Sequence, residues 1–144
     1  MNTTKKNQKN PKKMSHKFQV KPLSTNAMWG WKGKRKFKST EYLEYQNEIR
    51  DTVILIDGDK IEWHFGESQV CFDIRAGLSN RGADLDNCIK PLLDTYQSMY
   101  EEFNDNKVYH ITMEKFIVKK GDEYLEVKIE EYVKDNDDEK DIHS

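Results

Sequence analysis

Pro91 sits inside the best helical period of the chain, and proline is comfortable only in the first turn of a helix. Around it Ile89, Leu92, Leu93, Tyr96, Met99 and Tyr100 recur at the spacing of one helix face. The spacing therefore predicts a helix that begins near Lys90, and it forces Asp84-Leu85-Asp86-Asn87 into the turn that feeds it. Two carboxylates one residue apart, a lysine four residues past the second, and further carboxylates at Asp94 and Asp105 are thereby set around a single helix.

Charge divides the chain unevenly. Residues 1–40 hold 12 of the 24 Lys and Arg and none of the 26 Asp and Glu, which leaves 12 basic against 26 acidic residues in the rest. A cationic segment opposed to an acidic body suits a polyanionic ligand, and nucleic acid is the expected partner. At 144 residues with 35% hydrophobic content there is room for one domain with a modest core. Residues 1–15 read as a disordered Lys-rich N-terminal extension and residues 134–144 as a solvated acidic C-terminal tail. The folded domain is expected over residues 16–133. Cys71 and Cys88 are too few for a disulfide framework, and the four His (His16, His64, His110, His143) lack metal-ligand spacing. The longest aliphatic run, Val53-Ile54-Leu55-Ile56, is far short of a membrane span. A cytoplasmic protein without membrane contact is the expectation.

Period and punctuation place the elements. Lys17 to Val20 alternates as a short strand ending before Pro22. A loop mixing glycines, aromatics and cations follows, with Trp29 and Trp31 among Lys32, Lys34, Arg35, Lys36 and Lys38. Those cations can grip phosphates and the aromatics can stack on exposed bases. Trp29 and Phe37 have a second reading, as core anchors of a long loop. Ser39 caps a helix that runs to about Val53, with Tyr42, Tyr45, Ile49 and Val53 on its inner face. Ile61, Trp63 and Phe65 alternate, as do Val70, Phe72 and Ile74, and the two segments read as a hairpin across Gly66-Glu67. Ala76 to Ala83 reads as a flexible connector. Val108 to Val118 and Tyr124 to Tyr132 read as a closing hairpin. The order β-α-β-β-α-β-β describes a small α+β domain with two main helices and a small mixed β-sheet.

Carboxylates held close together repel unless a cation neutralises them, and carboxylate oxygens suit a hard divalent ion such as Mg²⁺. The residues thus point to metal-assisted phosphate chemistry, with Asp84, Asp86 and Asp105 as ligands and Lys90 supplying fixed positive charge. Asp105 reaches the others only through the connection that leaves the helix or through a partner subunit. Asp94 either holds Lys90 in place or forms a surface ion pair. Asp84 and Asp86 have a second reading as an Asx turn and helix cap. Asp73 and His110 read as ordinary strand residues.

Asp84-Leu85-Asp86-Asn87 with Lys90, Leu93 and Asp94, then Asn104-Asp105 and Val108, then Lys115, resembles the RusA family of Holliday junction resolvases found in phages and prophages. Pro22-Leu23-Ser24-Thr25-Asn26-Ala27-Met28-Trp29 resembles that family's N-terminal segment, and the resemblance covers roughly residues 18–130. It implies a homodimer of α+β subunits that binds four-way DNA junctions and resolves them by paired symmetric nicks, leaving 5′-phosphate ends. Mg²⁺ is the implied cofactor, Mn²⁺ a substitute, and no small-molecule cofactor is expected. Carried over by motif position, Asp84, Asp86 and Asp105 hold metal and Lys90 is catalytic. Asp94 and Lys115 also match motif positions, Asp94 behind Lys90 and Lys115 among the DNA-contacting cations. The family often carries a second acid where Asn104 stands. The competing expectations are a nuclease of forks or flaps, a junction-binding protein without catalysis, and an RNA-binding domain whose Asp cluster is structural.

Overall fold

The structure, a computed structural model, describes residues 12–58 and 61–133. The predicted extension over 1–15 and the acidic tail lie, respectively, mostly and wholly outside the described residues. Eight regular elements follow one another: β1 (Lys13–Phe18), β2 (Trp29–Lys32), β3 (Arg35–Lys38), α1 (Thr40–Asp57), β4 (Val70–Leu78), α2 (Ile89–Met99), β5 (Val108–Ile117) and β6 (Tyr124–Glu131). They make a mixed four-stranded sheet in the order β1-β6-β4-β5, a separate β2–β3 ribbon, and two helices. The fold is thus α+β with a mixed sheet, as expected, although its connections differ from those read in the sequence. Among the described residues no helix is long and apolar enough to cross a membrane.

The central strand is β4. Val70, Phe72, Ile74 and Ala76 on one of its faces are fully buried, each large side chain contributing roughly 1.5–3 kcal/mol through the water it sheds. α2 carries the chain from the end of β4 back to its beginning, so β5 pairs with β4 in parallel, Val70 beside Val108 and Leu78 beside Ile117. β6 pairs antiparallel on the other side of β4. This corrects the expected closing hairpin: β5 and β6 exist close to their predicted bounds, but β4 lies between them. The parallel crossover takes one edge of β4 and leaves the other for β6.

The same occupancy explains why Ile61 to Phe65 is not a strand. Both edges of β4 are taken, and this segment is irregular. Its alternation serves burial instead: Trp63 packs 5.0 Å from Phe65, 5.3 Å from Tyr100 and 4.8 Å from Phe103, ring centre to ring centre. At the start, β1 begins at Lys13 rather than Lys17, three residues ahead of the predicted domain, because Met14, His16 and Phe18 all face the core. α1 continues past Val53 to Asp57 and stops at Gly58, whose φ of 81° only glycine adopts without strain. Its last turn is not apolar-periodic, with Leu55 85% exposed. That turn is tied down by Asp57, which accepts from buried His16 at 3.2 Å while His16 Nδ1 meets the Tyr96 hydroxyl at 3.1 Å. The segment Ala76 to Leu78, expected in a connector, completes β4.

Trp63→Ala is expected to destabilise the fold by about 3–5 kcal/mol in urea unfolding, as a buried aromatic does. Leu55→Ala should change stability by less than about 0.5 kcal/mol. A Trp63 effect as small as the Leu55 effect would contradict the packing described.

Candidate metal and nucleic-acid site

Beyond β4 the chain turns at residues 79–83, enters a 3-10 turn at Asp86–Cys88 and passes directly into α2, with Pro91 in its first turn. Neither Asp84 nor Asp86 caps the helix: the residues at the cap positions are Leu85 and Cys88, and neither makes a side-chain cap bond. Both carboxylates are exposed and, among the described residues, make no hydrogen bond or ion pair. The buried Cys88 thiol beside them is pushed up by burial and then by the charges of Asp86 and Asp84, with Lys115 opposing.

Lys115 explains how the turn is held. From β5 its half-buried ammonium donates to the carbonyls of Arg81 at 2.9 Å and Ala83 at 2.8 Å. It therefore pins the loop that presents Asp84 rather than projecting toward a ligand, which differs from its expected place among the DNA-contacting cations. Lys90 and Asp94 form the anticipated i, i+4 pair at 3.4 Å. The lysine is mostly solvated, so the pair orients more than it stabilises.

The loop over residues 29–38 is a β-hairpin. Trp29 pairs with Lys38 and Lys32 with Arg35. The two-residue turn Gly33-Lys34 has Gly33 at φ 64° and Lys34 outside the left-handed region, the arrangement that puts glycine first in a tight hairpin turn. Five cations masked the strand alternation in the sequence. Trp29, at 37% exposure, and Phe37, at 45%, are only partly covered, so neither is a deep core anchor.

Three contacts join the hairpin to the acidic turn. Thr25 Oγ1, just before β2, donates to the Asn87 carbonyl at 2.7 Å. Tyr42 of α1 stands edge-on to Trp29 at 5.9 Å, and its hydroxyl is pushed up to about 12 by burial and then by the charge of Asp94. Finally, Lys38 Nζ donates to Gln46 Oε1 at 2.9 Å, Gln46 Nε2 to Thr95 Oγ1 at 3.2 Å, and Thr95 Oγ1 to the Pro91 carbonyl at 2.8 Å. Gln46 and Thr95 are buried, so this relay links the foot of the cationic hairpin to the first turn of α2 through the interior.

Asp105 lies elsewhere. α2 has eleven residues and a length of about 16 Å, and Asp105 follows it, its amide bonded to Gln97 Oε1 at 2.7 Å. Along β5, Val108 and Lys115 are seven residues apart, about 23 Å of strand. Asp84 and Asp86 sit near the Lys115 end and Asp105 beyond the Val108 end. Within one chain the connection leaving the helix does not return Asp105 to the other two. Among the described residues, no three of His, Cys, Asp and Glu gather to hold a metal ion. Asn104 caps the 3-10 turn Asp105–Lys107 by accepting from the Asn106 amide at 3.1 Å. Asp73 accepts from Thr112 at 3.0 Å on an exposed strand face, and His110 is exposed on β5.

An acidic cleft stands beside the site. A cleft of about 810 Å³ separates α1 from the loop after β4, and Glu41, Glu44, Glu48 and Asp51 line it opposite Asp84, with Lys21 at its rim. The 3, 4, 3 spacing of those acids along α1 was the available signal. This wall repels phosphate, so a polyanion approaching Asp84 and Asp86 is favoured from the hairpin side. No family model matches this chain, and no curated protein matches it.

Gln46→Ala removes the acceptor of Lys38 and the donor to Thr95 together. It is expected to lower stability by about 1–3 kcal/mol, read by urea unfolding. An unchanged midpoint would show that the relay does not hold the hairpin to α2.

Proposed function

We propose that this protein is a metal-dependent, structure-selective endodeoxyribonuclease of the RusA type, which resolves four-way DNA junctions as a homodimer. The observation that carries this reading is the pair of exposed carboxylates, Asp84 and Asp86, without a hydrogen-bond or ion-pair partner among the described residues, on a pinned turn that Asn87 ties to Thr25 in the segment leading into a cationic hairpin. Hard divalent cations accept one or two protein carboxylates and keep water or phosphate oxygens in their remaining positions, so this donor pair fits Mg²⁺ or Mn²⁺. When bound, such an ion supplies the polarisation of water and of the scissile phosphate that hydrolysis of a phosphodiester needs.

The chain's own residues do the rest. Lys32, Lys34, Arg35, Lys36 and Lys38 hold the phosphates of a junction arm, while the acidic wall of α1 excludes the backbone from the opposite side. Lys90 sets a positive charge one turn from Asp86 to offset the negative charge that develops on the leaving oxygen, and Asp94 restrains that ammonium. Lys115 keeps the loop before Asp84 from moving when phosphate approaches.

The separation of Asp105 from the acid pair favours a site made by two chains. If two α2 helices pack antiparallel about a two-fold axis, Asp105 of the partner subunit falls beside Asp84 and Asp86, and two equivalent sites form. Half-buried Ile89 and Met99 on α2, Leu85 in the turn before it, and Ile111 and Met113 on the edge strand β5 leave part of their apolar surface for that contact.

Incubating the protein with an immobile four-way junction should yield paired, symmetric nicks with Mg²⁺ and none after chelation. Asp86→Asn should lower nicking by at least about a hundredfold, a cost of about 2.7 kcal/mol or more in the barrier. Junction affinity in that variant should stay within a few-fold, measured by gel shift. Full nicking by Asp86→Asn, or nicking insensitive to chelation, would overturn the assignment.

A further inference from the structure

The hairpin carries an aromatic that phosphate gripping leaves unused. Trp29 and Trp31 are two residues apart on β2 and pair with Lys38 and Lys36, so all four share one face of the ribbon. Trp29 is committed to the fold, edge-on to Tyr42 and covered by the Lys36 ammonium 4.3 Å above its ring. Trp31, nearer the tip, is 65% exposed. Among the described residues it has no ring or cation stacked on it. On the opposite face Phe37 packs across Gly30, where an added Cβ would stand 2.7 Å from its ring and push the ring aside.

A solvated indole at the end of a stiff ribbon is a stacking platform without a partner. Lys32, Lys34 and Arg35 follow it at the tip, Lys32 and Arg35 on the other face of the ribbon, and residues 1–40 contain no acid that could satisfy them. An anionic ligand with a free flat apolar face matches both features. Bases inside a duplex are already stacked on both faces, whereas bases at a branch point or in a single strand are open. The 3-10 turn Thr25–Ala27 that leads into β2 is bonded through Thr25 to Asn87 beside Asp86, so the ribbon starts close to the acid pair and a strand gripped at its tip has its backbone led toward it.

We propose that Trp31 stacks on an unpaired DNA base at the branch point, making the β2–β3 hairpin the element that distinguishes a junction from linear duplex. This rests on the nuclease reading above and adds the residue that selects DNA shape. The neighbouring cations supply affinity for any DNA; Trp31 supplies the preference.

The test uses the full chain in Ca²⁺ with wild type, Trp31→Ala and Trp31→Phe. Each is titrated at matched salt against a four-way junction carrying 2-aminopurine at its branch point, a linear duplex of the same sequence, and anionic lipid vesicles. Trp31→Ala should weaken junction binding about 5- to 150-fold, the range of one lost base stack, and leave duplex binding within twofold. Trp31→Phe should retain most of the preference. Wild type, unlike Trp31→Ala, should quench the 2-aminopurine. Equal losses on junction and duplex, or a loss confined to vesicles, would overturn the proposal. Selective loss on the junction by a protein that nicks nothing in Mg²⁺ would keep the stacking role and reject the nuclease. Nicking with a junction preference indifferent to Trp31 would do the reverse, and failure to bind any DNA would reject both.

Discussion

The first turn of α2 is the fixed point of this molecule, and a buried hydrogen-bond relay fixes it. Thr95 takes the Pro91 carbonyl, Gln46 takes Thr95, and Lys38 takes Gln46, so strand β3, helix α1 and helix α2 share one interior chain of bonds. Buried amides and hydroxyls are costly when unpaired, and each of these side chains has a partner, which makes their arrangement highly specific. Everything placed around the acid pair inherits its position from that turn. Asp84 and Asp86 precede it, Lys90 lies on it with Asp94 one turn on, and the cationic ribbon reaches it from Lys38 through Gln46 and Thr95.

Charge is sorted by the same framework. α1 presents its inner tyrosines to the core and Glu41, Glu44, Glu48 and Asp51 to the cleft, while every charged residue of the ribbon before it is a cation. A whole-chain net charge of -2 conceals a surface with one attractive and one repulsive approach to the same two carboxylates. In the proposed nuclease this division orients the DNA.

Much of this was legible locally. Pro91 announced where α2 begins, Ser39 announced α1, and the acid pair with Lys90 and Asp94 followed from their spacing, including the ion pair. What the sequence hid was decided by distant contacts. Trp63 and Phe65 alternate like a strand, yet both edges of β4 are filled by strands that come later in the chain. Val108 to Val118 and Tyr124 to Tyr132 look like adjacent arms of a hairpin, but the crossover through α2 inserts β4 between them. The β2–β3 ribbon was obscured because cations occupy positions that usually signal a solvated loop. Lys115 matched a motif position, but only the register beside Ala76 reveals that its ammonium reaches back to the loop before Asp84. Asp105 was close to the pair in the pattern and is a helix length away in the fold.

That last separation can be tested directly, because the proposed metal site takes its third carboxylate from a second chain. Differently tagged Asp86→Asn and Asp105→Asn chains, each inactive as a homodimer, can be co-expressed and the mixed dimer purified. If the site is shared, one of its two centres keeps all three acids. The mixed dimer should then nick one strand of a four-way junction, but not the opposed pair, in Mg²⁺. If each chain builds its own site, both centres are damaged and the mixed dimer should be as inactive as its parents, which would contradict the shared site.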